Sequence, residues 1–229
     1  MAEARPQLTA LEGRRRLAKL RPSIEARIDL ARAQGRTGGT RTPSRMPGTP
    51  PVWVGSAAHA ADVPTLQRLG IGAVLNCAPS VCRPPMGGYA RAGIAYARVD
   101  ASDDRRFPLL SRCLAPATKF LSAHAGTGVL VHCMAGCNRS ATLAVAHLML
   151  RDRCELLELF AACSAARPSI LQNAAFQLQL CELAAAHGLL HDAAPARSAG
   201  DYTREPHERD VERARPGRTQ RPPPLISST

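Results

Sequence analysis

The sequence predicts an α/β fold in which a central, mostly parallel sheet is flanked by helices on both faces. Short apolar runs typical of buried strands alternate with segments of helical periodicity between residues 52 and 132. Three helical segments then follow one another without an intervening strand. The 229 residues are 45% hydrophobic, so the chain can bury a core of ordinary size.

The individual elements follow in order along the chain. Strands are predicted at four short apolar or alternating runs: 52–55, 72–77, 94–99 and 128–132. Between the first two strands lies a helical segment, with Asp62 as its N-cap and Gly70 just past its end. Later helices are predicted where apolar residues recur at helical spacing: 109–126, 140–151, 155–166 and 173–187.

Composition divides the chain into three parts. Residues 35–51, GRTGGTRTPSRMPGTPP, predict a flexible linker, and we assign residues 1–51 to a basic N-terminal arm and this linker. The predicted folded domain spans 52–190. Residues 191–229, which end in RPGRTQRPPPLISST, predict a disordered basic and Pro-rich tail.

The net charge of +12 is concentrated in the N-terminal arm. The first 50 residues hold 11 Arg and Lys against 4 Asp and Glu. A cluster with Arg14, Arg15, Arg16, Lys19 and Arg21 is therefore a candidate for docking an acidic groove on a kinase substrate, for binding RNA or an anionic membrane, or for directing nuclear import. A solvated arm without a partner is the competing interpretation. Nucleic acid is not expected as the main partner, because most of the excess positive charge lies outside the predicted domain.

Neither a membrane span nor disulfides are expected. The longest apolar run, 141–150, contains His147 and is about half of the roughly 20 residues that a membrane-spanning helix needs. The eight cysteines are scattered through apolar segments and no apolar leader precedes them. We therefore expect reduced thiols in a cytoplasmic protein, with nuclear import as an addition.

The segment after the last predicted strand predicts an oxyanion-binding loop. It reads CMAGCNR and leads directly into a helix near Ser140, so successive backbone N–H groups point at one spot above the positive end of a helix dipole. Gly136 allows the turn, and Arg139 offers a planar fork of donors for two phosphate oxygens. The predicted binding residues are Met134, Ala135, Gly136, Cys137, Asn138 and Arg139.

Cys133 is the candidate nucleophile at the base of this loop. The field that attracts a phosphate dianion also stabilises a thiolate, and a thiolate beneath a phosphate is aimed at phosphorus. His132 is predicted to brace the loop rather than act as a base, and Ser140 to donate a hydrogen bond to the sulfur when it leaves. This chemistry needs no metal or other cofactor. A metal pair of Cys137 with Cys133 or His132 would lack a second ligand pair at zinc-site spacing.

The leaving group needs a proton donor on a neighbouring loop of the same sheet edge. The stretch VDASDDRRFPLL follows the predicted strand 94–99 and supplies Asp100, Asp103 and Asp104. The residues alone leave the choice among these three open.

The chain resembles the dual-specificity protein phosphatases, small cysteine-based enzymes of the protein tyrosine phosphatase superfamily. VHCMAGCNRSATLAVAHLM is similar to their signature H-C-x5-R-S and its apolar helix, and ARPSILQNAAFQLQL to their later R-P…N…F…Q-L segment. VWVGSAAHAADVPTLQRLGIGAVLNC resembles the start of their domain, so the resemblance spans about 52–188.

The resemblance implies hydrolysis of phosphotyrosine and of phosphoserine or phosphothreonine in phosphoproteins, through a phosphocysteine on Cys133. In the family the acid lies four residues before an aromatic and six before a leucine. Phe107 and Leu109 fit that pattern for Asp103, which is therefore favoured over Asp104, with Asp100 third.

Three alternatives stay open. The same chemistry could act on a phosphoinositide, a glucan or an RNA 5′-phosphate, although the loop lacks the lysines that lipid-directed members often carry. The domain could also be a non-catalytic module that binds phosphoproteins. Independently of substrate, Cys77 and Cys137 are each candidates for a disulfide that would protect an oxidised Cys133.

Overall fold

The computed structural model describes residues 41–190, which form a sheet with helices on both faces. The strands of this region are β1 Ser44–Arg45, β2 Val52–Gly55, β3 Ile71–Asn76, β4 Ala95–Arg98 and β5 Gly128–His132. They are arranged in the order β1-β2-β5-β3-β4. Only β1 is antiparallel to its neighbour, and the remaining strands pair in parallel. The predicted mostly parallel α/β fold is confirmed.

The helices of the described region form two groups. Three short helices pack on one face: α1 Ala57–Ala61, α2 Val63–Arg68 and α3 Met86–Ala92. Four longer helices pack on the other: α4 Leu109–Ala123, α5 Arg139–Asp152, α6 Leu156–Ala166 and α7 Ala174–Ala186. The carboxyl ends of β2, β3, β4 and β5 therefore meet at one edge between the two helical layers.

Successive side chains of the central strand β5 point to opposite faces of the sheet. Val129 and Val131 of β5 belong to the large core beneath α4–α7, whereas Leu130 belongs to the small core beneath α1–α3. In the neighbouring strand β3, Leu75 likewise belongs to the large core and Val74 to the small one. Because both faces are covered, these strands read as continuous apolar runs in the sequence.

The predicted caps of the first helical segment are confirmed. Asp62 accepts a hydrogen bond from the backbone N–H of Thr65 at 3.1 Å and begins α2. Gly70 lies just past Leu69, the C-cap, at φ +67°. The same Asp62 is the C-cap of α1, a separate helix that precedes the predicted one.

The sheet begins earlier than predicted. Residues 35–51 were predicted as a linker, yet Ser44 and Arg45 pair with Val54 and Trp53. Met46 is 1% exposed in the large core, and its N–H donates to Val52 at 2.8 Å. The linker prediction is therefore wrong for residues 44–51, because one buried apolar side chain and two strand pairs anchor a Pro/Gly-rich segment.

Helix α3 was not predicted, because two glycines and few apolar residues in MGGYARA disfavour a helix. Tertiary contacts of Tyr89 compensate for this low helix propensity. Its side chain is 1% exposed in the small core, and its hydroxyl donates to the carbonyl of Ala60 at 2.6 Å.

The predictions for the basic arm before residue 41 and for the tail 191–229 lie outside the described residues. Within 41–190, none of the helices combines the length and the apolar character that crossing a bilayer requires.

Candidate active site

The loop of residues 133–138 joins β5 to α5 at the carboxyl edge of the sheet. Gly136 adopts φ +72°, a left-handed conformation that side chains other than glycine rarely take. A Cβ there would overlap the carbonyl oxygen of Gly55 and lie 2.8 Å from a guanidinium nitrogen of Arg167. The tight loop thus packs directly against the end of β2, which makes glycine necessary at this position.

Cys133 lies at the base of the loop with 1% of its surface exposed. Its sulfur accepts two hydrogen bonds at 3.3 Å, from the backbone N–H of Gly136 and from the hydroxyl of Ser140. Both donors favour a negatively charged sulfur over a neutral one. Ser140 lies in the first turn of α5, whose N-terminus adds a positive partial charge.

His132 supports the loop from below and is uncharged. Its Nδ1 lies 3.4 Å from the carbonyl oxygen of Cys133, and its Nε2 has no hydrogen-bond partner among residues 41–190. Burial lowers the pKa of His132 to about 4. A neutral, buried imidazole that faces a backbone carbonyl fits the predicted bracing role and offers no base for the Cys133 thiol.

Arg139 is the first residue of α5, and its side chain is folded inward at the site. Its Nη1 donates to the carbonyl of Ala101 at 3.4 Å, and its Nε lies 3.6 Å from Oδ2 of Asp103. The Nε makes no hydrogen bond within the described residues. The guanidinium therefore retains donors that can turn to phosphate oxygens.

The structure separates the three candidate acids. Asp103 points at the loop, with its carboxylate near Arg139 and within hydrogen-bond reach of Asn138. Asp104 points away and uses its side chain locally, where Oδ1 accepts from the N–H of Arg106 at 2.6 Å. Asp100 is exposed on the wall of the adjacent cavity.

A cavity of about 510 Å³ opens beside the loop. Two side chains on its rim are among the most exposed apolar groups of the described chain, Val81 at 56% and Met134 at 47%. Phe107 adds the single aromatic ring, with the guanidinium of Arg112 5.3 Å from its centroid. The lining residues are Ser80, Val81, Asp100, Ala101, Ser102, Asp103, Phe107, Arg112, Met134 and Arg139.

Arg167 organises the loop from behind, a role that the sequence analysis did not assign. Its side chain is 4% exposed, and it donates to the carbonyls of Gly136 at 2.8 Å and Ala135 at 2.9 Å. With these two carbonyls bound behind the loop, the backbone N–H groups can face the cavity side. Its signal in the sequence was the R-P motif of the segment ARPSILQNAAFQLQL.

The rest of that segment also anchors the site. Leu171, at φ +56°, donates its N–H to the carbonyl of Cys137 at 2.8 Å. Asn173 donates its side-chain amide to Asp103 at 3.2 Å. Gln179 accepts from the N–H of Leu110 and donates to Phe107, both at 3.0 Å, and so holds the far end of the acid-bearing loop.

The two candidate partner thiols differ in their surroundings. Cys77 is completely buried, and this burial raises the pKa of its thiol. Cys137 is partly buried, its thiol donates weakly to the carbonyl of Ala135 at 3.7 Å, and burial raises its pKa as well. All eight cysteines are reduced in the structure, and a disulfide to Cys133 stays a prediction.

Comparison with known proteins shows which class this fold and site define. Residues 52–186 match the family model "Dual specificity phosphatase, catalytic domain", and the chain belongs to that family. Dual specificity protein phosphatase 26 of Bos taurus is 36% identical over 136 residues, which are 58% of this chain and 64% of that protein. The first curated relatives are covered over only 41% to 64% of their length.

Solved structures agree in fold. The crystal structure of human DUSP28 is 28% identical with a TM-score of 0.53, over 64% of this chain and 96% of that one. A mouse putative dual specificity phosphatase complexed with zinc tungstate is also 28% identical, with a TM-score of 0.55 over 69% of this chain and 98% of its own.

Proposed function

We propose that this protein is a dual-specificity phosphatase that hydrolyses phosphotyrosine and phosphoserine or phosphothreonine in phosphoproteins through a phosphocysteine intermediate. One observation carries the proposal: the buried sulfur of Cys133 accepts hydrogen bonds from Gly136 and Ser140 beneath a loop that Arg139 flanks. Two donors and a positive helix end stabilise negative charge on this buried sulfur, as a thiolate nucleophile requires. The mouse relative was solved with tungstate, a tetrahedral oxyanion of the same shape as phosphate.

In the first step the Cys133 thiolate attacks phosphorus and the bond from phosphorus to the substrate oxygen breaks. The N–H groups of residues 134–138 and the guanidinium of Arg139 hold the three equatorial oxygens. Asp103 gives its proton to the departing alkoxide or phenoxide, so the dephosphorylated protein leaves neutral at that oxygen.

In the second step a water attacks phosphorus and the bond from phosphorus to sulfur breaks. The Asp103 carboxylate, left by the first step, takes a proton from this water and is restored to the acid. Ser140 donates to the sulfur at 3.3 Å and stabilises the thiolate as it leaves. Inorganic phosphate is the product, and the residues return to their starting protonation.

The shape of the cavity supports a broad substrate range. Its exposed apolar side chains are Val81 and Met134, and Phe107 is the one aromatic residue among those that line it. A site without an enclosing aromatic wall admits the short phosphoserine and phosphothreonine side chains as well as phosphotyrosine. The loop side chains carry no lysine, which disfavours a polyphosphorylated inositol headgroup.

Two finer proposals concern the rest of the chain. The basic cluster at residues 14–21 would dock an acidic groove of a kinase or of another phosphoprotein partner. The protein would act in the cytoplasm, and the same cluster would direct part of it to the nucleus. Removal of residues 1–40 should weaken capture of a phosphorylated partner protein without changing turnover of a small aryl phosphate.

The experiment that tests the enzymatic proposal is hydrolysis of a small aryl phosphate from pH 5 to 8 under reducing conditions without metal. Cys133→Ser should abolish turnover. Asp103→Ala should lower it by about 10²–10⁴-fold and flatten the fall in rate on the alkaline side, because the proton donor is gone. Asp104→Ala, in which a local turn contact is lost, is the matched control.

Substrate trapping then identifies the class of substrate. Cys133→Ser should retain a phosphoprotein that the wild type releases. An inactive wild type whose Cys133→Ser variant retains no more phosphoprotein than the wild type does would point to a non-catalytic phosphoprotein-binding module. Turnover of a phosphoinositide, glucan or RNA 5′-phosphate far above that of phosphopeptides would replace the protein substrate.

A further inference from the structure

A side chain of the phosphate-binding loop holds the candidate acid from the side. The amide nitrogen of Asn138 donates to both carboxylate oxygens of Asp103, at 3.2 and 3.3 Å. The amide oxygen of the same Asn138 accepts from the backbone N–H of Asn173 at 3.1 Å. Because one end of the amide must accept, its other end must donate, so the orientation of Asn138 is determined.

A second amide completes the arrangement. Asn173 donates from its side chain to Oδ1 of Asp103 at 3.2 Å. Its own amide oxygen accepts from the N–H of Ala175 at 3.1 Å, as the N-cap of α7. Asn173 is 8% exposed, and nearby Leu171 adopts a left-handed conformation, so this anchor is a buried side chain beside a constrained turn.

Asp103 itself has little else to hold it. It lies on the loop between β4 and α4, and its side chain retains 36% of its exposure. The two amides come from segments 35 and 70 residues away in the chain. They tie the acid loop to the phosphate-binding loop and to the start of α7, and they restrict rotation of the carboxylate.

The contacts also distinguish the two carboxylate oxygens. Oδ1 receives N–H donors from both Asn138 and Asn173, which occupy its lone pairs. Oδ2 shares only the Asn138 donor and lies toward Arg139. An oxygen with two N–H donors cannot readily carry a proton in the same directions, whereas Oδ2 has one shared donor and no hydrogen bond from Arg139, so it is the oxygen with a position for the proton.

We propose that Asn138, supported by Asn173, is a positioning residue that aims Asp103 at the leaving oxygen, with Oδ2 as the atom that carries the transferred proton. The inference rests on the proposed phosphatase function. In the first step the proton passes from Oδ2 to the leaving oxygen as its bond to phosphorus breaks. In the second step Oδ2 takes a proton from the attacking water as the bond from phosphorus to sulfur breaks.

The variant Asn138→Asp tests the donor role by removing the amide N–H groups that face Asp103. Aspartate is nearly isosteric and keeps the acceptor for the Asn173 N–H, but it replaces the amide donor with a carboxylate that repels Asp103. Turnover is measured with phenyl phosphate, whose leaving group is poor, and with difluoromethylumbelliferyl phosphate, whose leaving group is good and needs little protonation. Since the added charge also repels the substrate, kcat and KM are measured separately.

The readout is the ratio of kcat for the good leaving group to kcat for the poor one. Misplacement of an acid by about 1 Å can cost on the order of 10²-fold, so we expect Asn138→Asp to raise this ratio about tenfold or more. Asn138→Ser, whose short side chain cannot reach Asp103, should raise it similarly. In an Asp103→Ala background, neither change should alter the ratio further, because no acid is left to position.

Three outcomes would overturn the inference. The first is an equal loss of kcat with both substrates, which would indicate a structural role in the loop. The second is a ratio that still rises when Asp103 is already alanine. The third is a wild type that turns over neither substrate, which would overturn the proposed function and this inference with it, and is recognised before any variant is made.

Discussion

The buried guanidinium of Arg167 should be the main determinant of the shape of the phosphate-binding loop, and Arg167→Met tests this. Methionine keeps much of the apolar volume but removes the donors to the carbonyls of Ala135 and Gly136. Without them, the carbonyl of Gly136 loses this charged donor, and that of Ala135 keeps only the weak donation from the Cys137 thiol. We expect the loop to relax and both stability and catalysis to fall.

The structure sets the expected magnitude. Each hydrogen bond to a charged group contributes about 1.5–3 kcal/mol, so the two short bonds together contribute about 3–6 kcal/mol. Burial lowers the pKa of Arg167, which shows that its charge pays a desolvation cost that methionine would relieve. We therefore expect the free energy of unfolding to fall by about 2–4 kcal/mol, a large part of the 5–15 kcal/mol typical of a domain.

The assay is urea unfolding under reducing conditions together with kcat for a small aryl phosphate. Arg151→Met is the matched control, because Arg151 also donates to a backbone carbonyl, that of Pro50 at 3.0 Å, but at the other end of α5. The control should lose about 1–2 kcal/mol of stability and keep its kcat. The reasoning is refuted if Arg167→Met loses less than about 1 kcal/mol and its kcat is unchanged, as this would mean that the loop holds its shape without the guanidinium.

Two further predictions follow from the same structure. Gly136→Ala would place a Cβ against the Gly55 carbonyl in a left-handed backbone, so it should lower the free energy of unfolding by about 2–4 kcal/mol. The measurement is the Tm, and a Tm equal to that of the wild type would contradict the predicted overlap. Burial and the charge of Arg151 lower the pKa of His147 in the folded protein to about 4. As the pH falls from about 6.5 to 4, the imidazole is therefore protonated in the unfolded chain before it is protonated in the folded one, and the free energy of unfolding should decrease. His147→Leu should remove on the order of 3 kcal/mol of that fall, and the slope due to His132 should remain; an unchanged pH profile would refute it.

Local sequence patterns were enough to predict most strands, the long helices and the phosphate-binding loop. Apolar runs placed β2, β3 and β5, and the helical spacing placed α4 to α7 within a few residues. The loop of Cys133, Gly136 and Arg139 could be predicted because its chemistry lies within seven consecutive residues between a strand and a helix. Because these interactions join residues that are close in sequence, this one segment was enough to predict the loop and its chemistry.

Only the tertiary structure decided the remaining features, because they depend on residues far apart in the chain. Strand β1 and helix α3 have weak local propensity and are held by Met46 and Tyr89 in the two cores. The family resemblance already favoured Asp103 over the adjacent and chemically similar Asp104, but only the structure shows that the Asp103 carboxylate lies close to Arg139. The contacts of Arg167 with the loop and of Asn173 with Asp103 span 31 and 70 residues, distances at which spacing in the sequence predicts no contact.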